Sequence, residues 1–318
     1  MWFNLLDRQK LVEKAYQRGK ELTLKNKNYL ESVTSFFNKE YCEDVGSGDI
    51  TSEAIFRKNE PRTAVLKVKS SGIVAGVEEV NFFLQKNRIS TKIFKKDGAE
   101  ILKGETLLEL NGKQLDILTT ERIILNVLQR MSGIATETRS ITKLLANYGT
   151  KVAATRKTIY RFLDKKAVFL GGGVTHRIGL WDSILIKDNH LEALKSEGNS
   201  DYIDLALERA STCVNEVNFI EIEVTTHREA LKAARKFKSL DLKIPCIIML
   251  DNMIPKDVEV TIKTLRDLSL YDNILLEASG KITRKNILGF AKSGIDVISL
   301  GYLTHSATIL DMSLEMKI

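Results

Sequence analysis

Three basic clusters fall between residues 155 and 190: Thr155-Arg156-Lys157-Thr158, His176-Arg177 and Lys187-Asp188-Asn189-His190. A glycine triplet, Gly171-Gly172-Gly173, runs into the second and allows close backbone approach at positive φ. Arginine forks carboxylates and phosphates, and lysine adds a point charge. Arg156, Lys157, Arg177 and Lys187 are therefore candidates for gripping a small polyanion. Any one of these cations can equally be the buried partner of a carboxylate, but that reading explains less when all must be covered together.

Acidic groups accompany the basic ones. Glu221 and Glu223 are one residue apart, so on a strand they share a face. Asp251 ends the next apolar run. These carboxylates suit ribose hydroxyls, a Mg²⁺ ion held through oxygen ligands, or a developing positive charge. Glu221 can instead neutralise a neighbouring lysine, and the sequence leaves open which glutamate does the work. Ser279-Gly280 and Gly301 close consecutive strands, each before an expected helix, where backbone amides can form a phosphate cup. Three of the four histidines, His176, His190 and His305, sit in these clusters without metal-site spacing.

The elements that position these groups are legible as periodicities. Short apolar runs at 151–154, 183–186, 219–224, 246–250, 274–277 and 297–300 read as strands. Amphipathic stretches at about 201–214, 226–238, 256–268 and 283–293 read as helices between them. Such alternation means parallel strands with right-handed crossovers, and this many units favour a barrel over an open sheet. In a parallel barrel functional groups gather where strands end, and the polar clusters stand there. Earlier in the chain, Ala64, Leu66 and Val68 fall two apart, and turns stand at Asp97-Gly98, Lys103-Gly104 and Asn111-Gly112. Residues 62–110 form a small α+β unit, followed by a helical stretch from Leu115 to Asn147 with a break at Ser132-Gly133. Residues 1–28 are charged and read as a helical extension.

Composition sets outer limits. With 318 residues and 43% hydrophobic content the chain can bury a large core in two domains. Cys42, Cys213 and Cys246 are odd in number and widely spaced, which fits a reducing compartment. Met1 to Leu6 is too short for a signal sequence, and no apolar run nears the ~20 residues of a membrane span, so a cytoplasmic location is expected. A net charge of +7 admits a nucleic-acid binder, but there is no finger spacing, aromatic ribonucleoprotein motif or long basic block.

The motifs in sequence order resemble the quinolinate phosphoribosyltransferase family, also called nicotinate-nucleotide pyrophosphorylase (carboxylating). The resemblance rests on Glu121-Arg122, Asn126 and Leu128 to Thr136, then Thr155-Arg156-Lys157-Thr158, Gly171 to Leu180, and Ile186 to His190. It continues through Glu221-Ile222-Glu223-Val224, Leu250-Asp251-Asn252, Glu277-Ala278-Ser279-Gly280 and Gly301 to Ser306, covering Glu43-Asp44 to the C-terminus.

The resemblance implies an α/β protein of the type II phosphoribosyltransferase kind: an N-terminal α/β sandwich at 29–135, an incomplete parallel α/β barrel at 136–304, and a last helix, 305–318, returning to the first domain. It implies a homodimer or hexamer whose sites share Arg122 across the interface, and a reaction of quinolinate with phosphoribosyl pyrophosphate and Mg²⁺ that yields nicotinate mononucleotide, CO₂ and pyrophosphate for NAD synthesis. By position, Arg156, His176, Arg177 and Lys187 correspond to quinolinate contacts. Lys157 and Lys187 lie near the phosphoribosyl and pyrophosphate groups, Glu223 and Asp251 face ribose and metal, and Ser279, Gly280, Gly301 and His305 surround the 5′-phosphate.

The chain departs from the family pattern at Ile159-Tyr160-Arg161, where a Pro-Gly pair is usual, and at Lys281, where glycine is common. Rival readings are a molybdate-transport-associated relative, a nicotinate phosphoribosyltransferase of the same fold, a basic nucleic-acid binder, and a carrier module built on 62–110. The turn spacing there is similar to that of biotinyl and lipoyl carriers, but no lysine is placed as a carrier lysine would be.

Overall fold

The computed structural model describes residues 5–272 and 274–317. In chain order the helices are α1 (Leu5–Tyr16), α2 (Lys27–Val45), α3 (Ile50–Ile55), α4 (Val77–Lys86), α5 (Gln114–Leu144), α6 (Arg161–Leu170), α7 (Asp188–Ser196), α8 (Tyr202–Ser211), α9 (His227–Leu240), α10 (Pro255–Asp267), α11 (Ile287–Lys292) and α12 (Tyr302–His305). The strands are β1 (Pro61–Val68), β2 (Gly72–Ile73), β3 (Ser90–Ile93), β4 (Glu100–Ile101), β5 (Thr106–Lys113), β6 (Lys151–Ala153), β7 (Ile184–Ile186), β8 (Ile220–Val224), β9 (Cys246–Asp251), β10 (Leu275–Ser279), β11 (Val297–Ser299) and β12 (Met312–Met316). They form two compact units. One holds the described residues up to Arg18, Ile141–Lys157 and Gly173–Tyr302; the other holds Gly19–Ser140, Thr158–Gly172 and the chain from Leu303.

The first unit is an open parallel barrel with strand order β6-β11-β10-β9-β8-β7. Val174 adds a further short position beside β6 through a parallel bridge to Ala153. Among the described residues no ladder joins Val174 to β7, so the barrel is open along that seam. Strand β9 is apolar from Cys246 to Leu250 because parallel strands are covered on both faces. Helix α9 buries Ala230, Ala233, Ala234 and Phe237, one stripe at helical spacing, and starts with a Thr226/Glu229 capping box. Helix α10 begins at Pro255, whose missing N–H costs nothing in a first turn.

Helix α1 changes the reading of residues 1–28. The expected helix is there, and it is part of the barrel core. Val12, Ala15 and Tyr16 are buried in one cluster with Ala153, Val174, Phe219, Ile247, Leu275 and Val297. Arg8 explains the docking. Its guanidinium donates to Asp296 at 2.8 and 2.5 Å and to the Tyr271 and Ile274 carbonyls at 3.2 and 3.0 Å, groups just ahead of β10 and β11. The charged pattern of α1 hid this role, because a buried arginine looks like a solvated one in sequence. Residues 1–4 lie outside the described residues.

The second unit is built on an antiparallel sheet, β12-β1-β5-β3, with a separate β2-β4 pair. Two expectations are corrected here. The C-terminal segment ends in a strand, not a helix: Met312, Leu314 and Met316 recur at period two and β12 pairs with β1. Helix α5 runs unbroken through Ser132-Gly133. The Ser132 hydroxyl bonds the Ala75 amide and carbonyl at 3.0 and 3.2 Å, and a Cβ on Gly133 would lie 1.8 Å from the Thr308 carbonyl oxygen. The pair is there for close packing rather than to end a helix.

This unit also takes the Ile159-Tyr160-Arg161 stretch. Tyr160 precedes α6, and its ring lies 5.0 Å from Phe36 and 5.5 Å from the Arg130 guanidinium. Arg130 forks Asp164 at 2.9 and 2.7 Å and donates to the Thr304 carbonyl at 2.7 Å. Buried Lys166 contacts Glu78 and lies 2.5 Å from Glu79, which accepts from the Tyr29 hydroxyl at 2.8 Å. The departure from the family pattern is thus packed into a charged and aromatic cluster, with Ile159 left 74% exposed.

Candidate active site

Most of the singled-out residues stand where barrel strands end. Arg156 and Lys157 follow β6 on a turn in which the Lys157 amide donates to the Thr155 hydroxyl at 3.1 Å, and both side chains are exposed. Lys187 follows β7 at the start of α7, and its amide donates to His190 Nδ1 at 2.9 Å. This gives His190 a local capping role. Glu223 is near the end of β8, Asp251 ends β9, and Ser279 ends β10 in register with Asp251. Gly301 follows β11. The fourth histidine, His227, lies on α9 with Nδ1 3.0 Å from the Thr261 hydroxyl, a helix-to-helix contact away from these strand ends.

The strand-end turns are built tightly. Asn252 and Lys281 both adopt positive φ, 55° and 50°. Gly280, at φ 89°, is required: a Cβ there would lie 2.5 Å from Asn252 Oδ1 and 2.7 Å from its amide nitrogen. The helix expected at about 283–293 after Ser279-Gly280 is present but begins at Ile287. A phosphate at this strand end would meet loop amides rather than a helix terminus. Arg122 and His305 belong to the other unit. Arg122 is exposed beside a groove lined by Asp44, Gly48, Asp49 and Ile50, and His305 Nδ1 lies 2.6 Å from the Ser306 hydroxyl.

Charge is distributed with a purpose. Lys187 Nζ lies 3.5 Å from Glu223, leaving the lysine half in solvent. Burial lifts Glu223 above the ordinary carboxylate range, Lys187 opposes this, and Asp251 adds to the lift. Burial, then the charge of Arg156, holds the Arg177 guanidinium below the usual arginine range. The charges of Glu221 and Asp182 act on Arg177 in the opposite direction.

Inside the barrel the structure shows a cluster that the sequence reading only half found. His176 Nε2 lies 3.3 Å from both Glu221 and Glu277, and the Tyr16 hydroxyl donates to Glu221 at 3.4 Å. All four residues are buried. His176 Nδ1 lies 2.7 Å from the Arg177 amide nitrogen, so both ring nitrogens lie against protein groups. Glu221 neutralises a histidine, not a lysine. Glu277 was visible as a lone charge in Leu275-Leu276-Glu277-Ala278, whereas nothing marked Tyr16.

Burial works against the His176 imidazolium, but the charges of Glu277 and Glu221 outweigh it and lift its pKa to about 9. Burial, with Glu277 adding, pushes Glu221 up to about 7. Burial also acts on Glu277, but His176 prevails and holds it below the usual range. A raised histidine pKa means that the native state holds the proton more tightly. The stabilisation is complete below the unfolded value of about 6.5 and is lost as pH rises through about 9. The melting temperature is expected to fall between about pH 7 and 10. In a His176→Asn variant, starting less stable, that slope should flatten; an equal slope would remove His176 as its source.

The comparisons agree with this geometry. Residues 49–132 match the family described as Quinolinate phosphoribosyl transferase, N-terminal domain, and residues 134–315 match Quinolinate phosphoribosyl transferase, C-terminal domain. A protein of Methanothermobacter thermautotrophicus named probable nicotinate-nucleotide pyrophosphorylase [carboxylating] is 39% identical over 278 residues, covering 86% of this chain and 95% of its own length. A Bacillus subtilis protein of the same name is 37% identical over 298 residues, 92% of this chain and 95% of its own. The solved nicotinate-nucleotide pyrophosphorylase of Francisella tularensis superposes with a TM-score of 0.77 at 34% identity, covering 90% of this chain and 96% of that one. With its open barrel, its cationic strand ends and both domains matched, the chain belongs to the quinolinate phosphoribosyltransferase family.

Proposed function

We propose that this chain transfers the phosphoribosyl group of phosphoribosyl pyrophosphate to the ring nitrogen of quinolinate. The products are nicotinate mononucleotide, CO₂ and pyrophosphate. The observation that carries the reading is the cationic rim of Arg156, Lys157, Arg177 and Lys187 beside the carboxylates of Glu223 and Asp251. In the reaction the ring nitrogen bonds to the anomeric carbon as the carbon–oxygen bond to pyrophosphate breaks. The carboxylate beside the now quaternary nitrogen then leaves as CO₂, and the ring carbon takes up a proton.

The protein's part is orientation and electrostatics. Arg156 and Arg177 receive the two carboxylates of quinolinate. Lys157 and Lys187 balance the departing pyrophosphate. Glu223 and Asp251 face the sugar carbon as positive charge develops. Ser279, Gly280 and Gly301 are assigned to the 5′-phosphate, and Arg122 to the site of a second copy. His176, with both ring nitrogens against protein groups, acts by holding Arg177 in place.

Glu223 and Asp251 also fit Mg²⁺. They are oxygen donors on neighbouring strands, β8 and β9, and oxygen ligands of this kind suit Mg²⁺. When bound, the ion would supply charge compensation for the pyrophosphate. Purified protein given carboxyl-labelled quinolinate, phosphoribosyl pyrophosphate and Mg²⁺ is expected to release labelled CO₂ and nicotinate mononucleotide. Turnover of nicotinate with none of quinolinate would overturn the reading.

A further inference from the structure

The segment Thr175–Ile178 carries Arg177 and sits at the open seam of the barrel. It has one backbone bridge on the β6 side, where the Val174 amide donates to the Val152 carbonyl at 2.8 Å and Val174 accepts from Ala154 at 3.0 Å. Among the described residues no strand ladder supports its other side. An anion site demands fixed donors, so something else must hold this segment.

The end of α1 does so. The Thr175 hydroxyl donates to the Tyr16 carbonyl at 2.8 Å and accepts from the Arg18 amide at 2.9 Å. The Tyr16 ring meets the His176 ring edge-on with centroids 4.9 Å apart. The Arg18 guanidinium donates to the carbonyls of Lys14, Ala15 and Gln17, capping α1, and lies 3.5 Å from Asp182. Asp182 in turn accepts from the Ile178 amide at 2.7 Å, and the Arg177 guanidinium donates to the Ser183 carbonyl at 3.2 Å. Residues 16–18 thus touch Thr175 and His176 directly, and Ile178 through Asp182. The family match begins at residue 49, so this clamp lies ahead of the matched domains.

We infer that the C-terminal end of α1 is a positioning element for quinolinate binding: Tyr16 and Arg18 replace the missing strand at the barrel seam and fix His176-Arg177. The inference rests on the function proposed above. It predicts that loosening the clamp weakens the dicarboxylate site selectively, because phosphoribosyl pyrophosphate is held from other strand ends.

The test compares Thr175→Ala, which removes both hydroxyl bonds to α1, with Val12→Ala, which trims the packing of α1 one turn ahead of Tyr16 and leaves those bonds in place. Thr175→Ala is expected to raise the KM for quinolinate about tenfold, one hydrogen bond's worth of binding, while the KM for phosphoribosyl pyrophosphate moves less than about twofold. Amides 176–178 should exchange hydrogen faster. Thr175→Ser should restore both readouts. Val12→Ala should lower the melting temperature with the quinolinate KM unchanged. If Thr175→Ala does not fold, Arg18→Gln, which cuts the Asp182 contact and the guanidinium bonds to the end of α1, should give a rise of about threefold or more. A wild-type KM in both clamp variants, or an equal rise in Val12→Ala, overturns the inference. Should the unaltered protein fail to turn over quinolinate, the functional reading falls, and the exchange rates alone then decide the clamp.

Discussion

Arg177→Ala should lower kcat/KM for quinolinate by about 10²–10³-fold, the usual cost of removing one member of a desolvated charge pair. Arg177 is buried, and burial, then the charge of Arg156, hold its guanidinium below the usual arginine range against the opposing charges of Glu221 and Asp182. A buried, perturbed cation of this kind suits the binding of an anion. Lysine at this position keeps the charge but loses the fork, so Arg177→Lys should fall between alanine and the native residue. The alanine variant also loses the bond to the Ser183 carbonyl, which should cost about 1 kcal/mol in urea denaturation. Steady-state kinetics with quinolinate varied at saturating phosphoribosyl pyrophosphate separates the two effects. Native kinetics in the alanine variant would take Arg177 out of the site.

Glu277→Ala should be the most damaging single change to stability, by about 3–5 kcal/mol, because it strands a buried partner. Glu277 and Glu221 together balance His176 in a fully buried space also closed by Tyr16. With Glu277 gone, His176 either keeps its proton against one remaining carboxylate or gives it up and leaves Glu221 poorly paired. Glu277→Gln keeps the shape and one acceptor, so its loss should be clearly smaller. Urea midpoints at pH 7 measure the difference. Equal midpoints for Glu277→Ala and the unaltered protein would mean that the cluster contributes no stability.

The strand–helix alternation after residue 150 was readable because a buried parallel strand must be apolar and a surface helix must carry a stripe, and both patterns are local. The rim cations were readable because charge at the end of an apolar run has few structural uses. What escaped the sequence reading depends on contacts between distant segments. Residues 1–28 read as a charged helical extension with no stated packing, yet Arg8 meets Asp296, 288 positions away. Ser132-Gly133 looked like a helix break, yet it is a close approach to Thr308. The family resemblance implied a C-terminal helix, yet residues 312–316 form a strand on the edge of β1.

By itself, then, the sequence determined the parallel α/β barrel, the order of its strand ends and the kind of ligand they suit, since periodicity and charge at fixed spacing survive without coordinates. Only the tertiary structure decided which glutamate faces which partner. Glu221 and Glu223 share a strand, but one is sealed against His176 while the other meets Lys187 at the rim. Their separation is a matter of depth along the barrel, and depth is set by packing that includes a helix more than two hundred residues upstream.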